Sequence, residues 1–184
     1  MYRLLIVFFL INFPTPTLSS IKDDVISKMQ NTNNFSFNFI QKIEDKSENG
    51  MCIIKYPKKI FCQYSGSNKK IIVSNGRSLV IKTTNSGNYY IYPLDKTPLE
   101  YLLDKEFLIS KMKNLEPRLI DNKYLNFEIF ENNNEINIFF DIKNLTLVGW
   151  QTEDIYQNLI ITFISSVKLN QEVDEKNFIL PKNN

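Results

Sequence analysis

The sequence predicts a mainly β protein: about ten short strands wrapped into a strongly bent antiparallel sheet or barrel, with a leading helix and a helical insert. Three observations predict it. Apolar residues recur with period two in segment after segment, as at Phe35, Phe37 and Phe39 of "FSFNFIQ", and in a strand such residues share a face. Turn signals follow one another at roughly 8 to 12 residues, the spacing of a sandwich or barrel. The rhythm breaks once, in "TPLEYLLDKEFLISKMKNL", where the spacing turns helical.

The chain opens with "MYRLLIVFFLINFPTPTLSS". Arg3 supplies a positive start, Leu4 to Phe13 is apolar apart from Asn12, and small residues follow at Thr17, Ser19 and Ser20. That is the layout of a secretory signal peptide. Ten residues rise about 15 Å as a helix, half of a bilayer core, so the segment does not read as an anchor. Cleavage is expected after Ser19 or Ser20, which makes residues 1–20 the leader and residues 21–184 one exported domain. An apolar N-terminal strand is the alternative, and it does not explain why the strongest apolar run sits at the terminus. No cysteine lies near the cut to accept a lipid.

"SIKDDVISKMQN" reads as a helix, with Ser20 as its cap, Asp23 in the capping-box position and an apolar stripe at Ile21, Val25, Ile26 and Met29. Phe35, Phe37, Phe39 and Ile43 then alternate along a first strand. "GMCIIKY" and "KIFCQY" flank Pro57 and Lys58, which suits a hairpin with proline at its bend. "KIIVSNGRSLVIKTT" holds two strands joined at Asn75-Gly76, the strongest short hairpin signal present. "YYIYPL" makes a sixth strand. In the insert, Thr97, Pro98 and Glu100 match the cap, first-turn proline and capping-box acid of a helix start. Leu99, Leu102 and Leu103 line one side of it, and Phe107, Leu108 and Met112 continue the line towards Pro117. The remaining strands are "YLNFEIF", "INIFFDI", "LTLVGW" and "NLIITFISSVKL". In the last of them Leu159, Ile161, Phe163, Val167 and Leu169 are read as alternating.

Composition excludes much chemistry. There is no histidine, so Ser-His and Cys-His relays and imidazole metal sites are out. Two cysteines cannot build a four-thiolate zinc site. Five scattered glycines form no phosphate loop. Glu44-Asp45, Asp23-Asp24 and Glu153-Asp154 sit at segment ends, where carboxylates read as solvated faces. With 22 basic against 20 acidic residues, and Arg3 in the leader, nothing attracts nucleic acid or anionic membrane in general. The sequence asks for no enzyme and no cofactor.

The apolar sheet face admits two readings. Phe35, Phe37 and Phe39 fill a dry core closed by the helices, or they line a hollow. A ten-stranded sheet has more concave apolar face than one short helix covers, and 14 phenylalanines and 9 tyrosines enlarge it. From residues alone the result is an exported β half-barrel, with a dry core or a lipophilic ligand.

The ordered motifs resemble the LolA family, periplasmic carriers of outer-membrane lipoproteins. They are "FSFNFIQ" after the first helix, the glycine, strand, proline, strand run through "GMCIIKYP" and "KIFCQY", and "IIVSNGRSLVIK". "DKTPLEYLL", "LVGWQTEDIYQNLIITF" and the closing "NFILP" complete the set. The resemblance implies an unclosed antiparallel half-barrel of about ten to eleven strands with a helical lid over a hydrophobic cavity, the lid lying at about residues 97–114. It implies acylated lipoproteins as cargo, an inner-membrane lipoprotein-releasing ABC transporter as donor and an outer-membrane LolB-type receptor as acceptor. It also implies a monomer without cofactor, metal or bond chemistry.

Carried over residue by residue, the cavity face is Met29, then Phe35, Phe37 and Phe39, then Cys52, Ile54, Ile60, Cys62 and Tyr64. Ile72, Val80, Leu99 and Leu102 follow by the same matching. For each, ordinary core packing is the alternative, and Trp150 reads as plain core. Two positions depart from the family. Arginine commonly precedes the strand-ending proline and bonds the lid; Tyr56 stands there instead, and a phenol makes one such bond, not a charged multidentate set. Tyr56 is thus the expected latch, with Lys55 and Lys58 beside it and Lys55 expected on the opposite face. An aromatic is common where Cys62 sits. Cys52 and Cys62 fall on the same side of facing strands, so a disulfide is conceivable, and two small buried thiols are the expectation.

Rival readings are a half-barrel lipoprotein receptor, an envelope-stress sensor and a secreted β module with a dry core. The receptor calls for a lipidated cysteine after its leader, and the sensor for a second domain.

Overall fold

The computed structural model describes residues 18–67, 69–154 and 157–183. Most of the expected leader lies outside these residues. Eleven strands form one sheet: β1 (Asn34–Ile43), β2 (Lys46–Lys55), β3 (Lys59–Tyr64), β4 (Lys70–Asn75), β5 (Ser78–Thr83), β6 (Tyr89–Pro93), β7 (Arg118–Ile120), β8 (Tyr124–Glu131), β9 (Asn134–Asp141), β10 (Thr146–Glu153) and β11 (Leu159–Leu169). Their order is β6-β5-β4-β3-β2-β1-β11-β10-β9-β8-β7, and every neighbouring pair is antiparallel. β6 and β7 end the sheet, so the barrel is unclosed. Three helices accompany it: α1 (Leu18–Gln30), α2 (Leu99–Leu103) and α3 (Lys105–Asn114). No described helix is long and apolar enough to cross a membrane.

Helix α1 begins at Leu18, two residues before the expected cap at Ser20, and buries Val25, Ile26 and Met29 as the stripe predicts. The β2–β3 bend carries Pro57 after a cis peptide bond and Lys58 at φ 63°. At the β4–β5 turn Gly76 takes φ 96°, and the Asn75 carboxamide oxygen accepts from the amides of Arg77 and Ser78. Asn132 and Asn133 both adopt left-handed backbone between β8 and β9, as a tight hairpin requires.

Two irregularities set which residues face inward. Between β1 and β11 the register slips where Ser36 meets Lys168 and Asn38 meets Ser165, and Ser166 has φ 55°. The slip inverts the alternation along β11. Ile160, Thr162 and Ile164 point into the bowl, then Val167 and Leu169 do, while Leu159 and Phe163 are about half exposed outside. The simple odd-numbered alternation read for this strand is therefore corrected. A second slip, between Leu147 and Gly149 of β10, turns both Leu147 and Trp150 inward.

The insert is broken at Asp104, whose carboxylate accepts from the Phe107 amide (3.0 Å) and starts α3. The capping box expected at Thr97 and Glu100 does not form. Thr97 donates its hydroxyl to the Leu94 carbonyl (2.8 Å), and Glu100 is engaged elsewhere. β7, only three residues long, was not expected; its brevity suits an edge strand.

Outside the bowl the C-terminal segment runs back over β3 and β4. Glu175 pairs with Lys55 and Lys59, and Phe178 is buried. Lys55 thus takes the outer face, as expected.

Candidate functional site

The concave face holds two hollows separated by a small set of side chains. The first, about 50 Å³, is lined by Met29, Phe35, Ile54 and Tyr56 from α1, β1 and β2, and by Ile138, Phe140, Leu145, Leu147, Val167 and Leu169 across the bowl. The second, about 410 Å³, is lined by Phe39, Cys52, Ile60, Cys62, Tyr64 and Ile72 on β1 to β4, by Leu79 and Ile81 on β5, and by polar groups at its far end. Leu99 and Leu102 of α2, with Trp150, line both. Phe37 stands behind this partition, 5.4 Å from the Phe35 ring and edge-on to Trp150 at 5.9 Å.

Of the residues expected on the cavity face, Met29, Phe35, Phe39, Cys52, Ile54, Ile60, Cys62, Tyr64, Ile72, Leu99 and Leu102 line one hollow or both. Phe37 is packed against the partition. Val80 is corrected: it is fully buried but pairs with Val73 away from the hollows, and its neighbours Leu79 and Ile81 face inward. Trp150, read as plain core, borders both hollows.

The cysteines are also corrected. Cys52 and Cys62 are directly paired across β2 and β3, their Cα atoms 4.1 Å apart, and they form a disulfide on the wall of the second hollow. Directly opposed cross-strand side chains lie closest of all, so the pair reached from sequence is a bond rather than two thiols.

Gly50 explains the aromatic corner beside it. It pairs with Phe39 on one side and Tyr64 on the other. A Cβ there would lie 2.9 Å from Phe39 Cε1 and 2.2 Å from the Gln63 carbonyl oxygen. Without it, Phe39 and Tyr64 meet edge to face at 4.8 Å.

The lid is held by Lys58, not by Tyr56. The Lys58 amide donates to the Leu103 carbonyl (2.8 Å), and its ammonium donates to Glu100 (2.8 Å) and lies 3.4 Å from Asp104. Its own carbonyl accepts from the Ser74 hydroxyl (2.9 Å). One residue therefore ties the β2–β3 bend to both lid helices and to β4. The hydrogen bond to Glu100 holds the Lys58 ammonium above its usual pKa, against the opposing effect of partial burial. On the other rim, the Tyr101 hydroxyl accepts from Asn132 (2.9 Å) and Lys111 pairs with Glu131. Lys105 donates to the carbonyls of Gln30 and Thr32, joining α3 to the end of α1. Tyr56 packs its ring on Phe35, and burial raises its phenol pKa. It lines the first hollow with the Lys105 ammonium of α3 5.8 Å from its ring centre, while the hydrogen bonds to the lid come from the neighbour two residues on.

A bent sheet, a two-part apolar hollow and a three-point lid are the geometry of a container. The profile of the family described as "Outer membrane lipoprotein carrier protein LolA" matches residues 30–180. The chain belongs to the LolA family. A LolA superfamily protein from Nitrosomonas europaea aligns over 90% of this chain and 99% of its own at 12% identity and TM-score 0.48. An uncharacterized conserved protein from Thermus thermophilus aligns over 90% and 96% at 6% identity and TM-score 0.53. Pseudomonas aeruginosa MucB, solved with MucA, aligns over 89% of this chain and 62% of its own at 10% identity and TM-score 0.49. At such identities the likeness concerns the fold. No curated protein matches the chain in sequence. LolA proteins are carriers rather than enzymes, and among the described residues no group of three or more His, Cys, Asp or Glu is placed to hold a metal ion.

Proposed function

We propose that this protein is a periplasmic chaperone that shelters the acyl chains of lipoproteins. It takes them from an inner-membrane lipoprotein-releasing ABC transporter and yields them to an outer-membrane receptor of the LolB type. The observation that carries the reading is the 410 Å³ apolar hollow beneath α2. Sheltering a methylene is worth about 0.8 kcal/mol, so one sixteen-carbon chain represents on the order of 10 kcal/mol. A diacylated protein would leave a bilayer vanishingly slowly without a container that recovers most of this energy.

The container must also release. Leu99 and Leu102 project into the space that chains would occupy, so cargo has to displace the lid, and that displacement subtracts from net affinity. A lid that is itself apolar keeps transfer reversible. Residues 1–20 supply the export signal in this reading, and the mature domain works alone, as a monomer, without cofactor.

Depletion in the native cell tests the proposal. Mature lipoproteins destined for the outer membrane should accumulate at the inner membrane. An unchanged distribution overturns the carrier role.

A further inference from the structure

The second hollow ends in a seam of buried and half-buried polar groups that an ordinary apolar core has no use for. The Tyr64 hydroxyl donates to Gln41 Oε1 (3.0 Å), and Gln41 Nε2 donates to Thr162 Oγ1 (3.3 Å). Gln41 and Thr162 are direct cross-strand partners on β1 and β11, and Thr152 of β10 lines the same end. Tyr64 is 8% exposed, Thr152 6% and Thr162 2%. The seam lies at the strand ends opposite the Lys58 bend, so a ligand reaching it has its apolar part running back towards α2.

The chain of hydrogen bonds leaves donors over. Gln41 Nε2 carries a second N–H, Thr162 accepts from Gln41 and keeps its own O–H, and Thr152 brings another hydroxyl. Once acyl chains expel water from this end, a donor left without an acceptor costs about 1–3 kcal/mol, so a ligand that supplies acceptors is favoured here. The charges at this end argue that the acceptors are neutral. Lys70 lies 3.8 Å above the Tyr64 ring and is already paired with Glu48, Glu153 and Asp154 line the opposite wall, and Lys96, the other cation lining the hollow, belongs to the segment leading into α2. A free carboxylate would meet two like charges there. Ester and amide carbonyls accept without charge, and in an acylated glyceryl head they sit at the root of the chains.

Resting on the carrier reading above, we propose that Gln41, Thr162 and Thr152 form the subsite for the ester-linked head of the acylated cargo. Tyr64, itself steadied by Lys70, orients the Gln41 amide so that its free N–H faces the hollow. The chains extend from this point past the Cys52–Cys62 disulfide and displace Leu99 and Leu102.

The test compares two synthetic probes with the purified full chain. One is a dipalmitoyl-glyceryl cysteine peptide; the other is its dialkyl ether analogue, with the same chains and no carbonyls. The ester probe should bind about tenfold more tightly, the worth of one or two net hydrogen bonds. In the triple variant Gln41→Leu, Tyr64→Phe, Thr162→Val the whole chain of hydrogen bonds is replaced by apolar groups, a change close to neutral for folding. That variant should lose the tenfold preference and bind the ester and ether probes alike. Equal binding of the two probes by the unaltered protein overturns the subsite while leaving the carrier reading in place. So does a variant that keeps the preference, or free palmitate binding more tightly than the ester probe. Failure of the unaltered protein to bind either probe overturns both proposals. If the variant does not fold, the ester-to-ether ratio of the unaltered protein decides alone.

Discussion

The two hollows are cut from the same sheet face by the same helix, yet one is nearly full and the other is open. The first lies under α1 and α3, and Met29 and Leu108 reach into it from above. The second has only the short α2 over it, and its walls are Phe39, a disulfide, Tyr64, buried Leu79 and the half-buried Ile72 and Ile81 of β4 and β5. Apolar side chains dominate the walls of both, and the second alone ends in a polar seam. The difference is in what the helices cover: they seal one half of the bowl into core and leave the other as a hollow of about 410 Å³. On the proposed function, an apolar residue in the first half chiefly holds the fold, and one in the second is expected to meet cargo.

Substitutions should separate these roles. Ile138 is 1% exposed on the wall of the filled hollow, and Ile138→Ala should cost about 2–5 kcal/mol in denaturant unfolding. Ile72→Ala, on the open wall, should cost less than about 1.5 kcal/mol, and Ile72→Asp should weaken binding of an acylated peptide far more than it lowers the melting temperature. Equal stability losses at both sites would erase the distinction. Next in size is the disulfide, which belongs to the open half. Cys52→Ala with Cys62→Ala should lower stability by about 2–3 kcal/mol through loss of the cross-link, and reduction with dithiothreitol should match it.

The lid latch comes next. Lys58→Met removes the contacts to Glu100 and Asp104 while keeping the backbone bond to Leu103. These side chains are partly exposed, so the stability loss should be about 1 kcal/mol or less. Amide exchange in α2 should speed up, and that in α3 should change less, because Lys105 and Lys111 hold α3 independently. Tyr56→Phe should leave lid exchange unchanged. The smallest effect concerns pH. Lys58 has its pKa raised above 10.5, chiefly by its hydrogen bond to Glu100. Its contribution is therefore complete below pH 10.5 and is lost as pH rises through the higher folded value. Glu175, held below 4.5 chiefly by its hydrogen bond to Lys55, contributes above pH 4.5 and loses its effect on further acidification. From neutrality up to pH 10.5 α2 exchange, corrected for intrinsic rates, should be flat, and a midpoint near neutrality would contradict the assignment of the latch.

Much of the bowl was legible because strand period and turn chemistry are local. The run of phenylalanines on β1, the Asn75-Gly76 turn and the α1 stripe all fell where spacing put them. What stayed hidden depends on register. The slips at Ser166 on β11 and between Leu147 and Gly149 on β10 reverse inside and outside, and a strict alternation hides them. The first is the reason Phe163 is read with the wrong face; Trp150 is left out because a tryptophan there reads as plain core. Val80 was misplaced by matching in the other direction, since both Leu79 and Val80 are apolar and only the pairing with β4 and β6 decides between them. Lys58 is a nonlocal case. Nothing near Pro57 announces that its ammonium meets Glu100 and Asp104 forty-odd residues on, and the capping-box pattern at Thr97 drew Glu100 into a local role it does not fill. A positive charge beside the expected latch position was the available signal.

Trp150 is the one tryptophan in the chain and borders both hollows, so it reports directly on whether acyl chains enter. Titration with a diacylated peptide carrying bromine along its chains should quench its emission strongly and saturably, whereas the unbrominated peptide should not. Unquenched emission at concentrations where the brominated peptide demonstrably binds would place the chains elsewhere and contradict the account.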